Sequence, residues 1–335
     1  MAEKFDRDSL EKFRQAGMRW NSQRILDLLI RNSLVIVLLM AMVYFAIQNE
    51  RFASIGNLRA VLIAAAPFAL IALGQTLVIL TGGIDLSVGS LIALGAMVSA
   101  WIAIRNPEMI WLALLGAIVA GTLAGVINGV VVAYLDVPPF VATLGMLTAA
   151  SGFAYFIGGG APINGLPDSF GLIANTRFLG FQAPVFVMIG FFILLGIIMK
   201  YSAFGLRVYA VGGNKTAAEV AGVNVRRTLV QVYTISGFLA GLSGVLLASR
   251  VISGPPNLGQ GFELGAIAAV VIGGASLMGG RGTVWGTFLG LLIIQTLKNG
   301  LDILVVPAYW QMVINGVVIV SAVAVDVWAN RRRNR

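Results

Sequence analysis

Two short glycine-rich segments, 78–90 and 271–282, carry the polar groups best suited to contact a small molecule. We take six of their residues as candidates for a substrate pathway: Thr81, Asp85, Ser87, Gly273, Gly274 and Ser276. Hydroxyl, carboxylate and exposed backbone groups can hydrogen-bond a neutral polar solute. Each segment separates two apolar runs, which is typical of broken helices beside a transport route and indicates an internal repeat, either inverted or parallel.

Asp85 has two interpretations. Its position shortly before an apolar run suits an N-cap that accepts a backbone N–H from a helix beginning at Ser87 or Val88. Direct contact with substrate is the alternative, although capping is the commoner role of aspartate in such positions. The same two roles are open to Thr81 and Ser87, which also lie next to the break.

Several classes of chemistry are excluded by composition. The chain has no cysteine and no histidine, so disulfides, thiolate or imidazole metal sites and Ser-His-Asp catalysis cannot occur. The acidic residues occur singly, and none lies at the centre of an uninterrupted apolar run, which disfavours a proton- or sodium-driven transporter. We therefore expect no catalytic residue, no metal site and no cofactor bound by this chain.

The helices that position these segments are predicted to be membrane spans. The 335 residues are 58% hydrophobic and 11% charged, against about 45–50% and 25% in soluble domains. Since a helix crosses a bilayer with about 20 apolar residues, we predict an all-α polytopic membrane protein with about ten transmembrane helices, some of them broken by glycine. The predicted spans are 33–47, 60–80, 88–104, 110–134, 140–158, 183–199, 229–249, 264–280, 284–303 and 308–328.

Charge distribution predicts the topology. With a cytoplasmic N-terminus, seventeen of the 23 Lys and Arg residues fall on the inner side, which favours two cytoplasmic termini and an even number of spans. Nine or eleven spans would place one terminus outside. The predicted regions are a cytoplasmic segment 1–31, a transmembrane domain 32–328 with a cytoplasmic loop 200–228, and a basic cytoplasmic tail 329–335. This bias accounts for the net charge of +9, so we expect no nucleic-acid partner.

The cytoplasmic loop contains a short predicted helix. Asn214 can cap a helix from Lys215 to Ala221, and Gly222 suits the left-handed position that ends it. Because so short a helix is marginal alone in water, we expect another protein to dock on it. The predicted docking residues are Asn214, Lys215, Ala217, Ala218, Glu219, Ala221 and Gly222. The sequence at 212–216 is not a phosphate loop, because Asn214 occupies a position that requires glycine.

Three stretches, found in the same order, resemble the permease subunits of bacterial ABC importers of the carbohydrate-uptake class, and most closely the ribose-type permeases. They are residues 74–90, residues 212–214 with 221–225, and residues 263–274. The resemblance extends from about residue 60 to residue 328 and does not include the charged segment 1–31.

This resemblance implies the channel-forming subunit of an ATP-driven importer for a neutral monosaccharide, working by alternating access and not itself an enzyme. It also implies a second permease copy, identical or closely related, a cytoplasmic ABC ATPase that binds the ATP, and an extracytoplasmic sugar-binding protein. The resemblance further implies a location in the bacterial inner membrane, in contact with its lipid. By the same resemblance, the helix at 214–222 looks like the coupling helix that contacts the ATPase.

The sequence alone is also compatible with other functions. A permease for branched-chain amino acids or nucleosides has a related architecture, and the sequence shows no sugar-specific pocket. A secondary transporter would import its substrate with an ion gradient and without an ATPase. A membrane-embedded transferase would gather several acidic residues around a divalent metal, whereas the acids of this chain are scattered.

Overall fold

The computed structural model describes residues 32–333, which fold into thirteen α-helices, one 3-10 turn and one two-stranded hairpin. The helices are α1 (Ser33–Gln48), α2 (Ile55–Leu80), α3 (Val88–Arg105), α4 (Ile110–Tyr134), α5 (Pro139–Ile157), α6 (Asp168–Asn175), α7 (Ala183–Tyr201), α8 (Ala203–Gly213), α9 (Lys215–Val220), α10 (Val225–Val251), α11 (Phe262–Ile272), α12 (Val284–Ile303) and α13 (Ala308–Arg333). The 3-10 turn is Glu50–Ala53, and antiparallel β1 (Arg177–Phe178) and β2 (Phe181–Gln182) form the hairpin.

Each of the ten predicted spans corresponds to a helix, and nine agree closely in their bounds. Among the described residues, six helices are long and apolar enough to cross a membrane, namely α2, α3, α4, α5, α7 and α10. The exception in length is α11, which was expected to continue to residue 280 but ends at Ile272. The chain turns there because Gly274 adopts a left-handed backbone conformation, with φ of 86°. The predicted all-α polytopic membrane fold is confirmed.

Helices α2 and α10 lie at the centre of the fold. In their most apolar windows, 83% of α2 and 78% of α10 is buried, compared with 22% of α5. Large buried side chains such as Leu70, Leu73 and Tyr233 fill this interior. The other long helices surround the pair and turn apolar side chains outward, as expected of a protein dissolved in lipid.

Glycine brings α4 and α10 into backbone contact. Gly121 and Gly125 of α4 face Gly237 and Gly241 of α10, and a Cβ at Gly237 would overlap the carbonyl oxygen of Gly121. Glycines four residues apart allow such close approach where lipid provides no hydrophobic drive for helices to associate. The spacing of these glycines in the sequence therefore has a direct structural reason.

The ends of the chain are only partly described. The predicted N-terminal segment, 1–31, and residues 334–335 lie outside the described residues. Helix α13 continues to Arg333, so the first part of the predicted tail 329–335 is helical. The predicted loop 200–228 is largely helical as well, because it contains α8 and α9.

Candidate functional site

The first broken segment lies between α2 and α3 and is held by Asp85. One carboxylate oxygen, Oδ1, accepts hydrogen bonds from the backbone N–H of Ser87 at 2.9 Å and from its hydroxyl at 2.6 Å. The other oxygen, Oδ2, accepts from the hydroxyl of Ser236 on α10 at 2.9 Å. Asp85 therefore accepts a backbone N–H beside the start of α3, as predicted, but it is not the N-cap: Ser87 holds that position, directly before the first helical residue, Val88.

Polar side chains from three more helices converge on this segment. The amide of Asn128 on α4 donates to the Ser87 hydroxyl at 2.9 Å. The hydroxyl of Thr143 on α5 accepts from the Leu86 N–H at 3.1 Å. In one of its two amide orientations, Gln75 on α2 donates to the Asp85 carbonyl at 3.0 Å and accepts from the Asp85 N–H at 3.2 Å. We call Asp85, Ser87, Gln75, Asn128, Thr143 and Ser236 the Asp85 network.

The sequence analysis missed four members of this network, the neutral residues Gln75, Asn128, Thr143 and Ser236. Each is a polar residue inside an otherwise apolar run, and all four are buried. Polar side chains within membrane helices tend to hydrogen-bond across helices. That signal was present in the sequence, but the predicted candidates came only from the two glycine-rich segments, and these four residues lie outside both.

Tyr233 on α10 approaches the same segment closely. Its side chain is fully buried, and its hydroxyl has no hydrogen-bond partner among the described residues. A Cβ at Gly83 would lie 2.6 Å from this hydroxyl, so any side chain at this position would force the buried tyrosine or its neighbours to shift.

This contact yields a prediction for two variants and their combination. We expect Gly83→Ala to lower the unfolding free energy by about 1–3 kcal/mol, because overpacking a filled interior forces its neighbours to shift. Tyr233→Phe removes the crowding hydroxyl and should be tolerated alone. In the double variant, most of the unfolding free energy lost in Gly83→Ala should be recovered, as measured by thermal unfolding in detergent. If Gly83→Ala costs the same in the presence of Tyr233 and of Phe at position 233, the steric explanation is wrong.

The second broken segment lies between α11 and α12. Gly273 is buried against α12, where a Cβ would overlap the carbonyl oxygen of Gly286. Gly274 is exposed. Ser276 is buried and closes a turn, because its N–H donates to the Arg281 carbonyl at 2.9 Å and its hydroxyl accepts from the Met278 N–H at 3.3 Å.

The fold brings the two broken segments together. Ile79, Ile84 and Leu86 from the first segment share an apolar cluster with Val271 and Ala275 from the second. The Gly280 N–H donates to the Leu80 carbonyl at 2.9 Å. Contact between the two predicted breaks is thus a feature of this structure.

The six candidate pathway residues have different surroundings. Gly274 is exposed, whereas Thr81, Asp85, Ser87, Gly273 and Ser276 are buried. The Thr81 hydroxyl donates to the Val78 carbonyl at 2.8 Å, and the Asp85 and Ser87 side chains are engaged in the network described above. Contact of these six residues with a substrate stays a prediction.

The short predicted helix in the loop forms as α9, with one residue less at its end. Asn214 accepts from the Ala217 N–H at 2.9 Å and caps the first turn. Gly222, with φ of 83°, ends the helix, and its N–H donates to the Glu219 carbonyl at 2.9 Å. The Val223 N–H donates to the Ala218 carbonyl at 2.9 Å, which completes a Schellman motif.

Most of α9 faces outward. Of the residues predicted to dock, Ala218 alone is buried, and the exposed ones are Asn214, Lys215, Ala217, Glu219, Ala221 and Gly222. The apolar residue Val220 is also exposed, at 87%. An apolar and charged surface on a well-capped short helix is suited to contact with another protein.

Helix α8 anchors this surface to the rest of the fold. The Ser202 hydroxyl accepts from the Gly205 N–H at 3.2 Å at its start. Near its end, the Tyr209 hydroxyl donates to the Gly282 carbonyl at 2.9 Å. Burial raises the pKa of the Tyr209 phenol, so this hydroxyl keeps its proton and remains a donor at neutral pH.

No metal-binding constellation is found in the described part of the chain. Within residues 32–333, no three acidic side chains come together in a way that could hold a metal ion.

Comparison with known proteins places these features in a family. A family model described as "Branched-chain amino acid transport system / permease component" matches residues 57–323. The ribose import permease protein RbsC of Bacillus subtilis is 40% identical over 86% of this chain and 90% of its own length. RbsC of Escherichia coli K12 is 40% identical over 87% of this chain and 92% of its own length.

The galactose/methyl galactoside import permease protein MglC of Haemophilus influenzae is 38% identical over 90% of this chain and 95% of its own length. In the comparison with solved structures, none matches. Because the sequence matches cover most of the chain and most of each relative, this protein belongs to the family of ABC importer permeases that includes the ribose-type permeases.

Proposed function

We propose that this chain is the channel-forming subunit of an ATP-driven importer for a neutral monosaccharide of the ribose type. The observation that carries this proposal is the similarity, over nearly the full chain, to permeases named for ribose and galactose. A permease for branched-chain amino acids is the second candidate, because the family description names that cargo. The sugar relatives favour the first.

Uptake by cells distinguishes the two cargoes. In a strain from which this gene has been deleted, expression of the chain should restore uptake of labelled ribose or a related sugar, with no effect on labelled leucine or on a labelled nucleoside. Restoration of leucine uptake without sugar uptake would support the second candidate and contradict the first.

ATP hydrolysis is assigned to a separate cytoplasmic ABC ATPase that docks on α9. The exposed surface of α9 and the stable caps at both its ends support this assignment. The bias of Lys and Arg toward the same side of the membrane supports a cytoplasmic location for this helix and for both termini. A sugar-binding protein would deliver the cargo on the opposite side, and the bacterial inner membrane would hold the assembly.

In this proposal, alternating access involves the two broken segments, which contain the six candidate pathway residues. Broken helices are sites where transporters bind substrates and change conformation. A neutral cargo is consistent with the Asp85 network, because that carboxylate already accepts three hydrogen bonds from the protein itself and would have little need of a cationic substrate.

The second permease copy is proposed to pack on α5. This helix is the least buried of the six long apolar helices, and Gly145, Ala149 and Gly152 form an exposed face on it. A Cβ at Gly145 or Gly152 would have no neighbour within 4 Å. Small residues let helix backbones approach closely in lipid, so this face is suited to a copy of the same chain or a close paralogue.

Because the chain contains no cysteine, a single introduced cysteine can test this interface by disulfide cross-linking between two copies. We expect Gly145→Cys, oxidised in membranes, to give a covalent dimer, because we place this glycine near the two-fold axis, where a residue meets its own counterpart in the second copy. Gly190→Cys is the matched control, since Gly190 is an exposed glycine on α7 that also lacks neighbours within 4 Å. Equal cross-linking of the two variants on denaturing gels would contradict this interface.

A further inference from the structure

The end of α8 contacts both broken segments through backbone alone. Gly212 and Gly213 are its last two residues, and the helix stops there against the end of α2 and the turn after α11. We call this contact the glycine junction. Its members are Leu80, Gly82, Gly212, Gly213, Gly279 and Gly280.

Gly212 lies at the centre of the junction. A Cβ on Gly212 would overlap the Leu80 carbonyl oxygen and come within 2.5 Å of the Gly280 nitrogen. These two atoms are the acceptor and the donor of the 2.9 Å hydrogen bond that joins the two broken segments. Any side chain at position 212 would therefore separate α8 from that hydrogen bond or break it.

The other glycines of the junction are packed in the same way. A Cβ on Gly279 would lie 2.8 Å from the Gly212 carbonyl oxygen and 2.9 Å from the Gly82 nitrogen. A Cβ on Gly280 would lie 2.9 Å from the Gly213 Cα. Three stretches of backbone that are distant in sequence thus meet without an intervening side chain.

The junction is directly connected to the docking helix. Gly213 is followed by Asn214, the N-cap of α9, so no flexible linker separates α9 from Gly212. The Tyr209 hydroxyl adds a second connection from α8 to the second broken segment, through the Gly282 carbonyl at 2.9 Å. Close-packed backbone has low compressibility and transmits displacement.

We propose that the glycine junction transmits movement of α9 to both broken segments at once, and that Gly212 is the positioning residue at its centre. The inference rests on the proposed function in one respect, namely that an ATPase docks on α9. Through this junction, closure of the ATPase would move the first and second breaks together. The two breaks would then act as one gate.

The neighbouring residue supplies a matched control. Gly213 is also a helical glycine at the end of α8, but a Cβ on it would have no neighbour within 4 Å. Gly212→Ala and Gly213→Ala therefore make the same chemical change one residue apart, but the added methyl group meets the packed backbone at position 212 and open space at position 213. Tyr209→Phe is a milder variant that removes one hydroxyl and leaves the packing in place.

The experiment measures movement of the second break without reference to cargo. Met278, whose side chain is 80% exposed, is replaced by cysteine as the only cysteine of the chain, and the complex with its ATPase is placed in lipid nanodiscs. The rate of maleimide labelling is compared without nucleotide and with ATP under conditions that prevent hydrolysis. ATPase binding and thermal unfolding are measured on the same samples.

We expect the labelling rate to change by about threefold or more with ATP in the parent and in Gly213→Ala, as for a shift between two conformations. In Gly212→Ala, the change should disappear while the ATPase still binds. Tyr209→Phe should partly reduce the ATP-dependent change in labelling rate. If Gly212→Ala does not fold, the response of Tyr209→Phe to ATP tests the proposal instead, because this variant leaves the packing intact.

Two results would overturn the inference: a parent whose labelling does not respond to ATP, or a Gly212→Ala variant that is folded and responds like Gly213→Ala. A full response in Tyr209→Phe, together with an unfolded Gly212→Ala, would also count against it. Failure of the proposed function has a different signature. In that case the ATPase would not bind the parent complex, which the binding measurement on the same samples detects.

Discussion

Asp85→Ala should greatly reduce the amount of folded protein and lower the temperature of unfolding. The buried carboxylate accepts three hydrogen bonds, two from Ser87 and one from Ser236. Truncation leaves these donors without their acceptor in an interior that excludes water. A buried donor left without its acceptor costs about 1–3 kcal/mol, so for three such donors we expect a loss of roughly 3 kcal/mol or more of unfolding free energy, measured by thermal unfolding in detergent.

The matched control for this prediction is Glu108→Ala. Glu108 is an exposed acid in the loop between α3 and α4, and its removal should leave the unfolding temperature almost unchanged. Asp85→Asn should fall between the two, because an amide oxygen retains part of the acceptor capacity. If Asp85→Ala unfolds at the same temperature as Glu108→Ala, the Asp85 network does not stabilise the first break.

Val220→Asp should abolish coupling to the ATPase without affecting the fold of this chain. Val220 is 87% exposed at the end of α9, so the substitution disturbs little inside the protomer. At a docked interface, however, it would bury a charge without a partner, which costs several kcal/mol. We expect at least about a tenfold reduction of ATPase that co-purifies with the membrane subunit, since each 1.4 kcal/mol corresponds to a factor of ten.

Val305→Asp is the control for this second prediction. Val305 is similarly exposed, at 84%, but it follows α12, on the opposite side of the membrane in the proposed topology. The two variants should have the same unfolding temperature and differ in ATPase binding. Normal ATPase recovery with Val220→Asp would show that α9 is not the docking element.

The helices of this protein were predictable because of their composition. Runs of about 20 apolar residues leave a helix as the simplest structure that satisfies all backbone hydrogen bonds in lipid. The caps of α9 were predictable for a similar reason, since Asn214 and Gly222 have strong local preferences. These features depend on residues close in sequence, so no knowledge of the tertiary fold was required.

The Asp85 network and the residue at which α11 ends were not predicted, because they depend on tertiary packing, although an interruption within 271–282 was. Neutral polar residues such as Asn128 and Ser236 are each compatible with an apolar helix, and only the packing of α4 and α10 reveals that they meet at Asp85. In α11, a pair of glycines within an apolar run fits either a continuous helix or a turn. The backbone contact of Gly273 with Gly286 favours the turn.

ATP-coupled uptake by the reconstituted complex is the most direct test of the proposed function. The chain, its cognate ATPase and its sugar-binding protein are placed in proteoliposomes, and entry of labelled ribose is measured with ATP on the side of the ATPase. We predict uptake that requires both ATP and the binding protein and that persists when ion gradients are dissipated. Uptake driven by a proton or sodium gradient in vesicles that lack the ATPase would contradict the account.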